Sequence, residues 1–284
     1  MTTLTAELIP ITRMSRDIRA AATTLYDHEA RFLVDAYYQM QEDRIRSSHR
    51  ALRMQQPLTE TERVEPNEVI AWLATQSGTL ETQIKGALDR YTLSKPIGAW
   101  LRSIKGIGPV IAAGYMANVD IRRSNTAGKL WKYCGVAPGF DRRKRGEKVC
   151  FNPALKRLTW LAGESFKRLG SDDPDAFYRH IYDKRKAYET TKNEAGDYRE
   201  QAEQALATKT YDKATEAFKA YSVGKLPLGR IDRRAARYAA KMFLSHLQEV
   251  WYEMETGEHP PKPFALSHLH HADYIAPPRA DLQV

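Results

Sequence analysis

Residues 18–52 contain neither proline nor glycine and are rich in Ala, Leu, Glu, Gln and Arg, so nothing interrupts a long helix there. Within that run Leu25, Phe32, Ala36 and Met40 would share one apolar stripe. Gln56-Pro57-Leu58-Thr59 breaks the helix, and Pro66 suits the first turn of a second one. Leu73, Leu80, Ile84, Leu88 and Tyr91 carry its apolar face, with Ser77-Gly78 as a point of interruption. Residues 1–94 therefore read as a helical hairpin or small bundle, a packing or dimerisation module. Further on, Asp173 and Pro174 would cap and open a tyrosine-rich helical arm that reaches residue 221. Residues 222–229 form a turn, and residues 231–255 a last amphipathic helix with Ala235, Ala239, Met242, Phe243, Leu247, Val250 and Trp251 on its apolar side. The only strand signal is a short piece at 148–151, so the expected class is all-α. At 42% hydrophobic and 10% aromatic, 284 residues can bury a core, which excludes wholesale disorder. No apolar run approaches the ~18 residues of a membrane span, and no signal-peptide stretch opens the chain. With only Cys134 and Cys150, a disulfide framework or four-thiolate zinc site is excluded, and a reduced, cytoplasmic protein is expected.

The texture changes between residues 95 and 170, where short helices alternate with glycine turns. In Leu101-Arg-Ser-Ile104-Lys105-Gly106-Ile107-Gly108-Pro109-Val110-Ile111-Ala112-Ala113, Leu101 and Ile104 close one short helix. Gly106 and Gly108 bracket Ile107 in a tight turn, and Pro109 starts a second helix. The pattern resembles a helix-hairpin-helix motif, in which the turn and the second helix's N-terminus aim backbone N–H groups at a phosphate. Arg102 and Lys105 would add charge attraction, and contacts to phosphate make the binding largely independent of base sequence.

Downstream, Ser124 or Asn125 would cap a helix carrying Leu130, Trp131 and Tyr133, which Gly135 ends. A loop follows with four successive cations, Arg142, Arg143, Lys144 and Arg145, between Gly139 and Gly146. Asn152-Pro153 then opens a helix with Lys156, Arg157, Trp160, Lys167 and Arg168. From 122 to 156 the cations Arg122, Arg123, Lys129, Lys132, Arg142, Arg143, Lys144, Arg145, Lys148 and Lys156 face only Asp141 and Glu147. That segment carries +8, against +9 for the whole chain. Focused beside a phosphate-binding turn, the charge reads as a nucleic-acid footprint.

Three blocks in order, Ile104-Lys-Gly-Ile-Gly-Pro109, Lys129-Leu-Trp-Lys-Tyr-Cys-Gly-Val-Ala-Pro138 and Leu155-Lys-Arg-Leu158, resemble the C-terminal domain of the RNA-guided insertion-sequence transposases. The match runs over residues 100–169, with weaker similarity at Asp175-Ala-Phe-Tyr178 and around 237–251 and an added helical insertion near 190–229. That resemblance implies a domain working with a RuvC-like domain of four acidic residues, and a catalytic serine after the Gly-x-Ala-Pro block. Here the loop reads Gly139-Phe-Asp-Arg-Arg-Lys-Arg-Gly146, with no serine, and the N-terminal region reads as helices. Asp27, Glu29, Asp35, Glu42 and Asp43 are then solvated helix charges, not metal ligands.

The remaining candidates are weaker. His259, His268, His270, His271 and Asp273 lie in a proline-rich tail without a geometry-fixing element, and docking of the tail through Leu266, Leu269 and Tyr274 is the better reading. Both cysteines are expected to be small buried residues. No phosphate-loop, dinucleotide or nucleophile-elbow motif occurs, so no cofactor is expected. The expected domains are 1–94, the helix-hairpin-helix and basic domain 95–170, a long helical hairpin 171–258 and an extended tail 259–284. The expected function is non-enzymatic binding of DNA, or of RNA or an RNA–DNA assembly, by Arg102, Lys105, Gly106, Ile107, Gly108, Arg157 and the ten cations above. Two alternatives stay open. One is an active recombinase or nuclease with a divergent site, for which Ser124, Ser165 and the tyrosines are the nucleophiles; the other is an oligomeric structural protein.

Overall fold

The computed structural model describes residues 13–54, 68–138, 149–261 and 274–279. Among them are eleven α-helices and no strand. They are α1 (Arg16–Ala21), α2 (Asp27–Met54), α3 (Glu68–Leu93), α4 (Pro96–Ser103), α5 (Pro109–Asn118), α6 (Ala127–Tyr133), α7 (Pro153–Lys167), α8 (Phe177–Glu194), α9 (Arg199–Thr208), α10 (Glu216–Ser222) and α11 (Leu228–Thr256). No described helix is long and apolar enough to cross a membrane. The chain forms two compact units, one of Met1–Ala99 with Gly108–Asn118, the other of Trp100–Ile107 with Val119–Val284.

In the first unit α2 and α3 pack along each other, and α5 packs on both. α5 is apolar all round and buries Val110, Ala112, Ala113, Tyr115 and Met116, as a helix enclosed on every side must. Two polar ties fix α2 against its neighbours. The Asp27 carboxylate accepts from the Tyr91 hydroxyl at 2.8 Å and the Lys95 ammonium at 2.9 Å. Arg44 pairs with Glu81 at 2.5 Å. Asp27 is thus a bonded helix start, not merely a solvated charge.

The single long helix expected from residue 18 is two helices. The Thr23 and Thr24 hydroxyls donate to the Ala20 and Ala21 carbonyls, and the backbone tightens into a 3-10 turn over Ala22–Thr24. α2 then restarts with Glu29 accepting from the Tyr26 amide, half of a capping box. The apolar stripe shifts accordingly: Ala30, Val34 and Tyr38 are buried, whereas Phe32 is 71% exposed. On α3 the face holds at Ile84, Leu88 and Tyr91, but Leu73 is exposed. Ser77 and Gly78 do not interrupt α3; Ser77 is buried and Gly78 lies against the Arg44 side chain. Gln56, Pro57, Leu58, Thr59 and Pro66 fall outside the described residues.

In the second unit α11 is the rod on which α6, α7 and α8 pack. Its buried side includes Ala235, Ala239, Phe243, Leu247, Val250 and Trp251, as its spacing predicts, while Met242 is half-buried. Gly163 on α7 permits the close crossing: a Cβ there would stand 2.9 Å from the Ala236 carbonyl oxygen. Phe243 centres an aromatic cluster with Trp100 (6.2 Å between ring centres), Phe166 (5.5 Å) and Tyr178 (5.5 Å). α8 begins at Phe177, three residues after Pro174, because Asp173 is engaged elsewhere and Ala176 takes the cap position. The arm expected up to residue 221 is three helices. Gly196, at φ +85°, turns the chain after α8, and Tyr198, Ala202, Tyr221, Leu226 and Ile231 form a small core for the insertion. Asn193 closes it by bonding both the amide and the carbonyl of Leu226. Beneath it the buried Glu189 carboxylate accepts from Tyr198, Arg185 and Arg234. Burial alone would raise its pKa, but these bonds outweigh it and hold the pKa low.

Residues 274–279 run over α11 without helix or strand. The Trp100 indole donates to the Pro278 carbonyl at 2.9 Å, and Tyr274 donates to Glu249. Tyr274 docks the tail as expected; Leu266, Leu269, His268, His270, His271 and Asp273 lie outside the described residues. His246 is buried between the Tyr178 hydroxyl, 2.9 Å from Nδ1, and the Ile275 carbonyl, 2.8 Å from Nε2. A carbonyl only accepts, so Nε2 carries the proton and Nδ1 accepts from Tyr178. Burial lowers the His246 pKa to about 4. From about pH 6.5 down to 4 the unfolded chain takes up a proton that the folded chain refuses, so stability falls as pH falls. Denaturant unfolding across that window should show a loss on the order of 3 kcal/mol, and His246→Gln should flatten it.

Candidate nucleic-acid interface

The turn after α4 is held from below by α7. Ile107 donates its amide to the Ile104 carbonyl at 3.0 Å, which tightens the chain. The Ser165 hydroxyl donates to the Gly106 carbonyl at 2.6 Å, and Arg102 donates to the Ile107 carbonyl at 3.0 Å. Gly106 sits at φ +95°, where an L side chain is strained, and a Cβ there would stand 3.0 Å from the Phe166 ring. Lys105 is ion-paired with Asp173 at 2.7 Å and Asp175 at 3.1 Å, which pins the turn to the segment before α8. The carboxylates hold the ammonium charged, raising the Lys105 pKa. Ile107 is buried. Gly108 belongs to the other unit and opens α5; a Cβ added there would meet nothing within 4 Å.

The basic residues of the second unit lie on three segments. Arg122 and Arg123 are exposed in the turn before α6, where Arg122 pairs with Glu255 at 2.9 Å and the Arg123 amide donates to Asp120. Thr126, not Ser124 or Asn125, caps α6 by accepting from the Lys129 amide; Ser124 is buried. Lys129 and Lys132 are exposed on α6, and Lys129 bonds Asn125. Asn152 caps α7 through Ala154 and Leu155, with Pro153 following it, as the sequence predicts. Lys156 and Arg157 are exposed on α7, and Lys156 lies over the Phe151 ring at 4.6 Å. The Asn152 amide donates to the Tyr133 carbonyl at 2.8 Å, which joins the end of α6 to the start of α7. Arg142, Arg143, Lys144, Arg145 and Lys148 lie outside the described residues.

One residue stands out beyond those expected in the site. Trp160, on the same helix as Lys156 and Arg157, presents an indole that is 60% exposed. Its spacing after Arg157 puts both on one face. The signal in the sequence was a tryptophan set among cations, but helical pattern alone reads it equally as core.

The serines named as alternative nucleophiles are occupied or enclosed: Ser165 donates to Gly106, and Ser124 is buried. Of the tyrosines, Tyr178, Tyr182, Tyr198 and Tyr221 are buried. Cys134 is buried, which pushes its thiol up to about 12, whereas Cys150 is exposed, contrary to expectation, because it precedes the α7 cap and has no helix to pack it. Among the described residues no three or more His, Cys, Asp or Glu converge on one point.

Residues 98–166 match the model of the Transposase IS116/IS110/IS902 family. This segment is related to the insertion-sequence transposases. It begins in α4 and ends on Phe166, and so takes in the glycine turn, α5, α6 and α7. No curated protein and no solved structure matches the chain.

Because the turn depends on one φ and one hydroxyl, it gives a direct test. Gly106→Ala should destabilise the fold by at least about 1 kcal/mol through the left-handed backbone. Ser165→Ala should cost about 1 kcal/mol, the worth of a hydrogen bond whose acceptor is left behind. Both are read as shifts in the denaturant midpoint.

Proposed function

We propose that the chain binds nucleic acid without acting as an enzyme, and that DNA is its principal partner. One observation carries the reading: the segment related to insertion-sequence transposases contains a glycine turn with Gly108 open at the start of α5, and its α6 and α7 expose Lys129, Lys132, Lys156 and Arg157. In this reading the helix-hairpin-helix of residues 95–170 offers the Gly106, Ile107 and Gly108 backbone to one phosphate. Arg122, Arg123, Lys129, Lys132, Lys156, Arg157 and the 142–148 cations hold the flanking backbone. Lys105 and Arg102 act differently from simple attraction. Their bonds to Asp173, Asp175 and the Ile107 carbonyl fix the shape of the turn, so they position it and do not grip. Trp160 adds a flat apolar face on which an unstacked base can rest.

The binding this predicts is strongly salt-dependent, with each phosphate contact adding about 0.9 to the slope of log affinity against log salt on duplex DNA. Replacing Lys129, Lys132, Lys156 and Arg157 by alanine should lower that slope by about 3 to 4 in fluorescence anisotropy. Trp160→Ala should weaken a single-stranded or mismatched probe by about 1–3 kcal/mol and leave a fully paired duplex nearly unchanged. Binding that is insensitive to salt and to the four-residue change would overturn the reading. Metal-dependent strand cleavage or a covalent protein–DNA adduct would establish the recombinase alternative in its place.

A further inference from the structure

Outside the segment just described, the first unit carries a second concentration of positive charge. Arg16, Arg19 and Arg90, with Met14, Ala20 and Thr23, line an open cleft of about 530 Å³. Arg19 and Arg13 also line a cleft of about 500 Å³ along α3, whose wall is Thr75, Gly78, Thr79, Thr82, Gln83 and Gly86. Arg19 lines both clefts, with its guanidinium lying over Gly86. Lys105, Lys167, Arg185 and Arg234 of the other unit all have carboxylate partners. Arg13, Arg16, Arg19 and Arg90 form no ion pair among the described residues, and all four are exposed.

We propose that this arginine cluster is a second nucleic-acid contact, which takes the phosphodiester backbone of a strand along the α3 groove. The inference rests on the nucleic-acid reading above and extends it to the first unit. Arginine fits the role because its planar guanidinium gives paired donors to phosphate oxygens and keeps its charge at any working pH. The groove fits a strand better than a small anion. Its donors stand along two open clefts, whereas a small anion is selected by an enclosed pocket of converging donors. The threonine wall supports the same choice. Thr75, Thr79 and Thr82 each donate their hydroxyl to their own helix, at the carbonyls of Ala71, Thr75 and Gly78. They offer no proton to a ligand. Phosphate oxygens in the groove are therefore met by the arginines spread along both clefts.

The test compares the full-length protein with the triple variant Arg16→Gln, Arg19→Gln, Arg90→Gln, using a labelled duplex oligonucleotide at several salt concentrations. The changed side chains are exposed, and equal thermal midpoints establish that the variant is folded. The slope of log affinity against log salt should fall by about 2 to 3, with at least a tenfold loss of affinity at low salt. A companion with lysine at the same three positions should keep most of the slope. If the parent binds and the glutamine variant matches it in slope and affinity, while the α6–α7 variant is weakened, this inference is wrong and the proposed function stands. If the parent binds no oligonucleotide, the proposed function itself fails. A thermal-shift titration with inorganic pyrophosphate then reads the cleft directly, and stabilisation of the parent but not of the variant would replace the strand by a small-anion site.

Discussion

The contact of three aromatic rings with Phe243 is what the rest of the second unit depends on. Trp100 lies in the helix that leads into the glycine turn, Phe166 lies under that turn, and Tyr178 sits in the first turn of α8, ahead of the helical insertion. All four are buried, and each comes from a different helix, so removing water from their faces ties four helices together in one step. The turn's own polar bonds are secondary to this. Ser165 reaches the Gly106 carbonyl because Phe166, its neighbour on α7, is already seated in the cluster. The Trp100 indole N–H and the His246 ring then find their partners in the tail, at the Pro278 and Ile275 carbonyls.

Charge in this molecule serves two purposes, and formal sums do not separate them. Glu189 and Asp232 each collect several donors. Burial works against Asp232, yet bonds from Lys167, Tyr182 and Lys186 bring its pKa down to about 2. Lys167 and Lys186 are thus engaged in ion pairs within the fold. Lys129 and Lys132 on α6 and Lys156 and Arg157 on α7 are exposed, where water screens their charges from one another. Lys105 shows why the distinction needs a structure. Beside a glycine turn it looks like a phosphate ligand, but Asp173 and Asp175 have claimed it.

Much of the architecture was readable in the chain. The all-helical class follows from long stretches of helix formers, and the helix start at Asn152-Pro153 held, whereas the one read at Asp173-Pro174 and the break at Ser77-Gly78 did not. The failures share a cause. Thr23, Thr24 and Glu29 redirected the first helix, Thr126 displaced Ser124 as a cap, and Ala176 displaced Asp173. Except at Ala176, which caps without any side-chain bond, a polar side chain chose between backbone partners of similar worth, and the choice turned on what else lay within reach. The stripe on α2 failed for a related reason. Periodicity gives the spacing of buried residues but not the phase, so Ala30, Val34 and Tyr38 were buried where Phe32 and Met40 were expected.

By itself the sequence determined the helical class, the glycine turn, the Asn152-Pro153 cap, and the relation of residues 98–166 to the insertion-sequence transposases. These are local: they depend on residues a few positions apart, whose interactions survive in any tertiary setting. Only the tertiary structure decided which cations are spent on carboxylates and which face solvent, and it alone drew Arg16 and Arg19 to Arg90 across a long separation in the chain. The physical reason is that electrostatic energy falls with distance in space and with access to water, and a linear sum of charge records neither.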